Sequence, residues 1–420
     1  MTGAPTSAPP TPIRRLVRMT GRDLRERHRS ATPLELLFDL AFVVAFGQAG
    51  NELAHLVAEG HIGPGILGFV FAMGATCWAW INFTWFASAY DTDDWLYRLT
   101  TMVQMIGVII LALGLPEMFA SLVHGDHVDN SVIVFGYVVM RVALVAQWLR
   151  AAKQDPQRRK TALGYAFWVS MAQVGWVVLL ILNLPSSVFF VFCVLLFALE
   201  FVGPVLAERK TSGTPWHPHH VAERYGLLAI IALGEGVFGT VAAVGVLVDH
   251  QGGWTPEAVL IVVAGLGLTF GLWWIYFMQP AGPVLAKHRE RSWEWGYSHV
   301  LLYASIAATG AGLHIAAYVI EGEAVIGVLG AVISVAVPVL VFVFSLFAIY
   351  IWLLRGFDPL HVGLFAGTVA MLVVAIVAAS SGASLAFCLI LITLAPAVVV
   401  VGYETVGHRH AAAALERALR

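Results

Sequence analysis

The chemistry in this chain starts with charges placed where charges are expensive. The run Glu223-Arg-Tyr-Gly-Leu-Leu-Ala-Ile-Ile-Ala-Leu-Gly-Glu235 is apolar between its ends. At about 1.5 Å per residue, Glu235 lies roughly 18 Å beyond Glu223 on a helix. If that helix crosses a hydrocarbon core about 30 Å thick, Glu235 sits near the middle. A carboxylate there costs roughly 3 kcal/mol unless it is protonated, paired or facing water. Its natural chemistry is therefore proton exchange or cation binding. Arg224 precedes Glu235 by eleven residues, within about 20° around the axis, so both look toward one neighbour.

A second apolar run carries Glu35 and Asp39, four residues apart and hence on one face. Both suit a helix N-terminus, where the macrodipole favours carboxylates. Asp39 lies about 10 Å along the run, at a depth similar to Arg224, and a charge-assisted pair between them is expected. Arg141 stands alone in a third apolar run and needs a buried partner. Glu117 is the first candidate, because a short loop makes its helix an antiparallel neighbour. Glu200 and Glu235 are the alternatives.

These residues need elements that span a membrane. The chain has 420 residues, 59% of them hydrophobic and 12% charged, against about 25% charged in a soluble domain. Apolar runs this long belong to helices, giving an all-α, polytopic membrane bundle. Twelve spans are expected at roughly 32–54, 65–90, 97–122, 131–152, 161–183, 187–208, 220–247, 256–280, 294–319, 324–354, 360–380 and 383–403. Of the 24 Lys and Arg residues, 22 then fall on one side, and the other two, Arg141 and Arg224, lie inside spans. That asymmetry puts both chain ends in the cytoplasm.

Residues 1–12, rich in Ala, Pro, Thr and Ser, read as a disordered leader. Arg14, Arg15, Arg18, Arg22, Arg25, Arg27 and Arg29 follow, and would lie along the inner membrane surface as a basic, partly helical segment. The expected divisions are a leader over 1–30, six-helix halves over 31–210 and 211–403, and a cytoplasmic tail over 404–420.

The halves align. Leu40-Ala-Phe-Val-Val-Ala-Phe-Gly-Gln48 lies over Leu227-Leu-Ala-Ile-Ile-Ala-Leu-Gly-Glu235, and Trp80-Ile-Asn-Phe83 over Trp274-Ile-Tyr-Phe277. Six spans per unit gives two pseudo-repeats of the same orientation. The deep polar position is Gln48 in one half and Glu235 in the other.

Pro33-Leu-Glu-Leu-Leu-Phe-Asp-Leu-Ala-Phe-Val-Val-Ala-Phe46 and the run from Glu223 to Glu235 resemble the two signature segments of the bacterial low temperature requirement protein A family. The likeness extends from about residue 28 to 400. It implies an integral bacterial inner-membrane protein and supplies no substrate or catalytic residues.

The remaining candidates read as structural. His217, His219 and His220 suit a solvated loop, and His299 and His314 suit buried, hydrogen-bonded positions. Cys77, Cys193 and Cys388 lie in apolar runs with no paired spacing. Trp78, Trp80 and Trp85 suit interface belts or helix packing. Gly234 and Gly236 flank Glu235 and would let another group approach it. No phosphate loop, nucleophile elbow or zinc-protease helix occurs, so no cofactor, metal or nucleic acid is implied.

The reading favoured by the residues is a secondary transporter with a midplane polar site between spans 1 and 7. Its pathway would use Glu235, Asp39, Arg224, Gln48, Glu35 and Glu223, with Arg141 paired elsewhere. Its partners would be membrane lipids and a small solute, cation or proton. An intramembrane enzyme acting on a lipid or lipid-linked substrate, and a non-catalytic assembly or signalling component, are the alternatives. Oligomeric state is left open.

Overall fold

The computed structural model describes residues 16–23, 29–209, 211 and 213–420. Among these residues the regular structure is helical, and twelve helical segments are long and apolar enough to cross a membrane. The first three spans are α1 (Pro33–Ala58), α2 (Ile62–Tyr90) and a broken pair, α3 (Trp95–Leu113) and α4 (Leu115–His124). Then follow α5 (Ser131–Gln154), α6 (Arg159–Leu182) and α7 (Ser186–Glu208). The seventh span is a second broken pair, α8 (Pro218–Ala232) and α9 (Gly234–Gln251). It is followed by α10 (Pro256–Phe277), the short α11 (Ala281–Lys287) and α12 (Ser292–Glu321). The last elements are α13 (Val328–Leu354), α14 (Pro359–Ser380), α15 (Leu385–Gly402) and α16 (His408–Leu419).

The helix starts are written locally. Thr32 closes a capping box with Glu35 ahead of Pro33, and Thr255 and Asp358 cap helices whose first residue is likewise proline. A polar cap satisfies an orphan N–H, while proline at the first position has none to satisfy. The breaks have different origins. Between α3 and α4 the chain turns at Gly114, just before Pro116. Between α8 and α9 no proline intervenes, and Leu233 turns with ψ −17°.

The interior is organised by α2 and α12, the spans with the largest buried share, at 78% and 72%. They pack on each other and on α1 and α8. The outermost spans, such as α7 and α14, bury only 28% and turn apolar side chains outward, as the surface of a bundle in lipid requires.

The basic leader departs from the expectation of a surface segment. Residues 16–23 form no helix. They cross the arginine-rich end of the bundle as a strap. The N–H of Val17 donates to Asp94 Oδ2 (3.1 Å), that of Met19 to Gln154 Oε1 (2.6 Å) and that of Gly21 to Asp155 Oδ2 (3.1 Å). Met19 is fully buried. Docking wins over membrane adsorption because acceptors at the ends of α2, α3 and α5 satisfy the strap's backbone, Arg22 reaches Asp91 at 3.7 Å, and Arg18 donates to the Gln154 carbonyl at 3.1 Å. Residues 1–15 and 24–28, with Arg14, Arg15, Arg25 and Arg27, lie outside the described residues.

The C-terminal segment folds as α16, which packs against α11 and α13. His410 Nδ1 meets Asp358 Oδ2 at 2.8 Å, and His288 donates to the Ala418 carbonyl at 2.8 Å.

Candidate functional site

Three layers stack between α1, α2, α8, α9 and α12. The first is a charge network near the arginine-rich end. Arg224 Nε and Nη2 both donate to Asp39, whose Oδ1 also accepts the Trp80 indole N–H at 2.7 Å. Arg224 Nη1 lies 3.2 Å from Glu35 Oε1. Glu35 Oε2 accepts from the Thr32 N–H at 2.8 Å and meets His220 Nε2 at 3.2 Å. Glu35, Asp39, His220 and Arg224 all have zero exposure. Arg29 extends the network, donating to the carbonyls of Ser88 (2.7 Å) and Ala87 (3.1 Å) and to Asp91 Oδ2 (3.1 Å), with Glu35 Oε1 at 3.4 Å. Burial, then the nearby Glu35 charge, push the Asp91 carboxyl up from its ordinary value against the pull of Arg29. The network ties Arg29, α1, the end of α2 and α8 into one unit.

The second layer is aromatic. Trp80 meets Tyr225 and Tyr303 edge-on, with centroids 4.9 and 5.8 Å away, and Tyr303 lies 6.4 Å from Phe46. The Tyr303 hydroxyl donates to the Tyr225 carbonyl at 2.9 Å. These rings fill the space beyond Asp39.

The third layer is Glu235, in the first turn of α9 just past the break. It is half-buried, and among the described residues it has no hydrogen-bond or ion-pair partner. Two glycines on neighbouring helices make room for it. A Cβ on Gly47 of α1 would fall 2.8 Å from Glu235 Oε1, and one on Gly310 of α12 would fall 2.7 Å from the Glu235 carbonyl carbon. Gly236, expected to admit another group to the carboxylate, instead abuts Thr269 of α10, and Gly234 faces open space. The close approach comes from across the interface, since helix glycines serve whichever face meets a neighbour.

Toward the far end the half-buried groups continue. Gln48 donates to Glu52 at 3.0 Å, and His314 stands one turn beyond Gly310 on α12. Glu223, next to Arg224 but about 100° away, is exposed and outside the network.

Arg141 belongs to a separate cluster and does not pair with Glu117. Glu117 is exposed on α4, because the break at Gly114 turns that helix away from α5. Arg141 Nη2 pairs with Glu200 at 3.1 Å, and Glu200 also accepts from Tyr137 (3.1 Å), Trp176 (3.2 Å) and Trp78. With four donors the buried Glu200 carboxylate is itself satisfied, and it ties α2, α5, α6 and α7 together.

His220, Trp80 and Arg29 are the network members that sequence reasoning missed. His220 carries a usable signal: it lies four residues before Arg224, hence on the same helix face.

The chain is similar to known proteins over most of its length. An uncharacterized protein of Rhizobium meliloti (strain 1021) is 25% identical over 295 residues, covering 66% of this chain and 67% of the relative. No solved structure matches the chain. The family model described as bacterial low temperature requirement A protein (LtrA) matches residues 30–396, from the residue before the α1 cap region through most of α15. That match takes in both arms of the α1–α8 network and Glu235, and it places the chain as a multi-pass membrane protein of the bacterial low temperature requirement A family.

Proposed function

We propose that this protein is an ion-coupled secondary transporter of the bacterial inner membrane, with Glu235 as the group that takes up and releases a proton or cation. One observation carries the reading. Glu35, Asp39, Arg224, Arg141 and Glu200 are all paired, whereas Glu235 has no partner among the described residues. A carboxylate at the centre of a span is costly when ionised and alone, and a proton or cation removes that cost.

The arginine-rich end faces the cytoplasm in this reading, following the distribution of positive charge. The network around Arg224 and Asp39, with the aromatic layer behind it, forms the cytoplasmic closure. The half-buried Gln48, Glu52 and His314 line the approach to Glu235 from outside. The seventh span is broken one residue before Gly234, and broken helices are where transporters place midplane sites. Segments 31–210 and 211–403 act as the two bodies whose relative motion opens the closure.

The test is reconstitution. Purified protein in liposomes is placed under imposed proton, sodium and potassium gradients while internal pH and membrane potential are followed. A flux above that of empty liposomes supports the reading. No flux under any gradient overturns it.

A further inference from the structure

A second space, distinct from the Glu235 site, lies between α2, α6, α7, α8 and α12. Six aromatic residues wall it: Trp78, Trp85, Tyr165, Tyr225, Trp293 and Tyr297. The polar edges of four of them are engaged elsewhere. Trp78 donates to Glu200, Trp85 to Glu208 Oε1 at 3.3 Å, Tyr165 to the same oxygen at 2.9 Å, and Tyr297 to the Phe201 carbonyl at 3.1 Å. What these four leave for the cavity is ring surface, with the Glu208 carboxylate behind Trp85 and Tyr165, while the Glu200 carboxylate behind Trp78 is already paired with Arg141. A ring face is the negative part of the quadrupole and attracts cations.

No Lys, Arg or His lines the space. The Arg224 guanidinium is turned to Glu35 and Asp39, and Arg289 lies over Trp216, 4.1 Å from the ring centroid.

Two polar groups inside the walls have no partner among the described residues. Asn82, 6% exposed, donates its amide N–H to the Trp78 carbonyl at 2.9 Å, which leaves its Oδ1 free. Tyr225 is 3% exposed, and its hydroxyl makes no hydrogen bond. Gly296 keeps that hydroxyl open, since a Cβ there would sit 3.0 Å from it. Both residues line the space and neither oxygen is sealed off, so each is free to meet a small occupant.

The free volume is about 20 Å³, room for one or two water-sized particles. That excludes bulky quaternary ammonium ligands. Ammonium is water-sized, and its N–H donors suit Asn82 Oδ1 and the Tyr225 oxygen. Metal cations such as calcium need six to eight oxygen ligands, which this cavity does not offer. We propose that the aromatic cavity between α2 and α12 is a binding site for a small ammonium cation, ammonium itself or methylammonium. The proposal concerns binding at equilibrium and does not depend on the transport reading.

The experiment uses the full chain in detergent at pH 7. Tryptophan fluorescence is titrated with ammonium chloride and methylammonium chloride, at ionic strength held constant with sodium chloride. The expected result is a saturable change whose midpoint lies at least tenfold below any response to sodium or potassium, with none for tetramethylammonium. Gly296→Ala fills the cavity and should abolish the change, and Trp293→Leu, which removes a half-exposed wall, should weaken it about tenfold. A response that does not saturate, that potassium reproduces, or that survives in a folded Gly296→Ala protein would overturn the proposal and leave the space to water. Because no gradient is applied, absence of flux in liposomes leaves this result intact, and the converse holds.

Discussion

The carboxylate of Glu235 occupies the space that a side chain at position 47 would need: a Cβ on Gly47 would lie 2.8 Å from Oε1 and 3.1 Å from Oε2. α1 and α9 thus meet through one glycine and one acid. Gly47→Ala is expected to displace the flexible end of Glu235 while sparing the fold, reducing coupled flux in liposomes at least tenfold with little change in melting temperature. Gly310→Ala differs, because its Cβ meets the backbone of Glu235. Overpacking of that kind typically costs about 1–3 kcal/mol, so thermal unfolding in detergent should show a clear loss for Gly310→Ala and almost none for Gly47→Ala.

Arg224 holds two buried carboxylates at once. Arg224→Met leaves Glu35 and Asp39 without it, and breaking such a buried pair costs about 3–5 kcal/mol. Adding Asp39→Asn removes one of the stranded charges, and the double variant is expected to recover part of the loss. A double-mutant cycle on unfolding midpoints reads the coupling directly. Additive losses would mean that the pair is not energetically linked.

The Arg141 and Glu200 cluster is predicted to be structural. Glu200→Gln keeps an acceptor for the surrounding Tyr and Trp donors but weakens the tie to Arg141. It should lower the melting temperature while leaving the pH dependence of any flux as in wild type. A shifted pH profile would assign Glu200 to the pathway.

The strap carries a pH prediction. Burial alone would raise the Asp94 carboxyl, but the Arg150 guanidinium and the N–H groups of Tyr97 and Val17 outweigh it and hold the carboxyl below its ordinary value. A depressed carboxyl adds stability above its unfolded value of about 3.9, and that stability is lost as pH falls through the lower folded value. The strap should therefore be fully docked at neutral pH and loosen in acid below about pH 4. Hydrogen exchange over residues 16–23 checks this, with Asp94→Asn expected to raise exchange already at pH 7. Equal protection at pH 7 and in acid would contradict it.

The spans were legible because lipid imposes a hydropathy rule on every stretch of about twenty residues. The meeting of Asp39 and Arg224 was legible because both lie at similar depths in segments whose patterns align. What escaped depends on packing between distant segments. Arg141 finds Glu200, 59 residues away and named only as an alternative to Glu117, because after Gly114 α4 packs on α1 and α2 with Glu117 facing outward. The break at Leu233 has no proline to announce it. The strap depends on acceptors exposed at helix ends, which no local pattern in residues 16–23 encodes. The room around Glu235 is made by Gly47 and Gly310, whose relevance follows only from the docking of α1, α9 and α12.

Exchange at Glu235 is tested by comparing Glu235→Gln and Glu235→Asp with wild type in liposomes, across pH, under an imposed ion gradient. Glutamine, which cannot release a proton, is expected to abolish coupled flux, and aspartate to retain part of it with a shifted pH profile. A Glu235→Gln protein that matches wild type in rate and pH dependence would rule out Glu235 as the exchanging group.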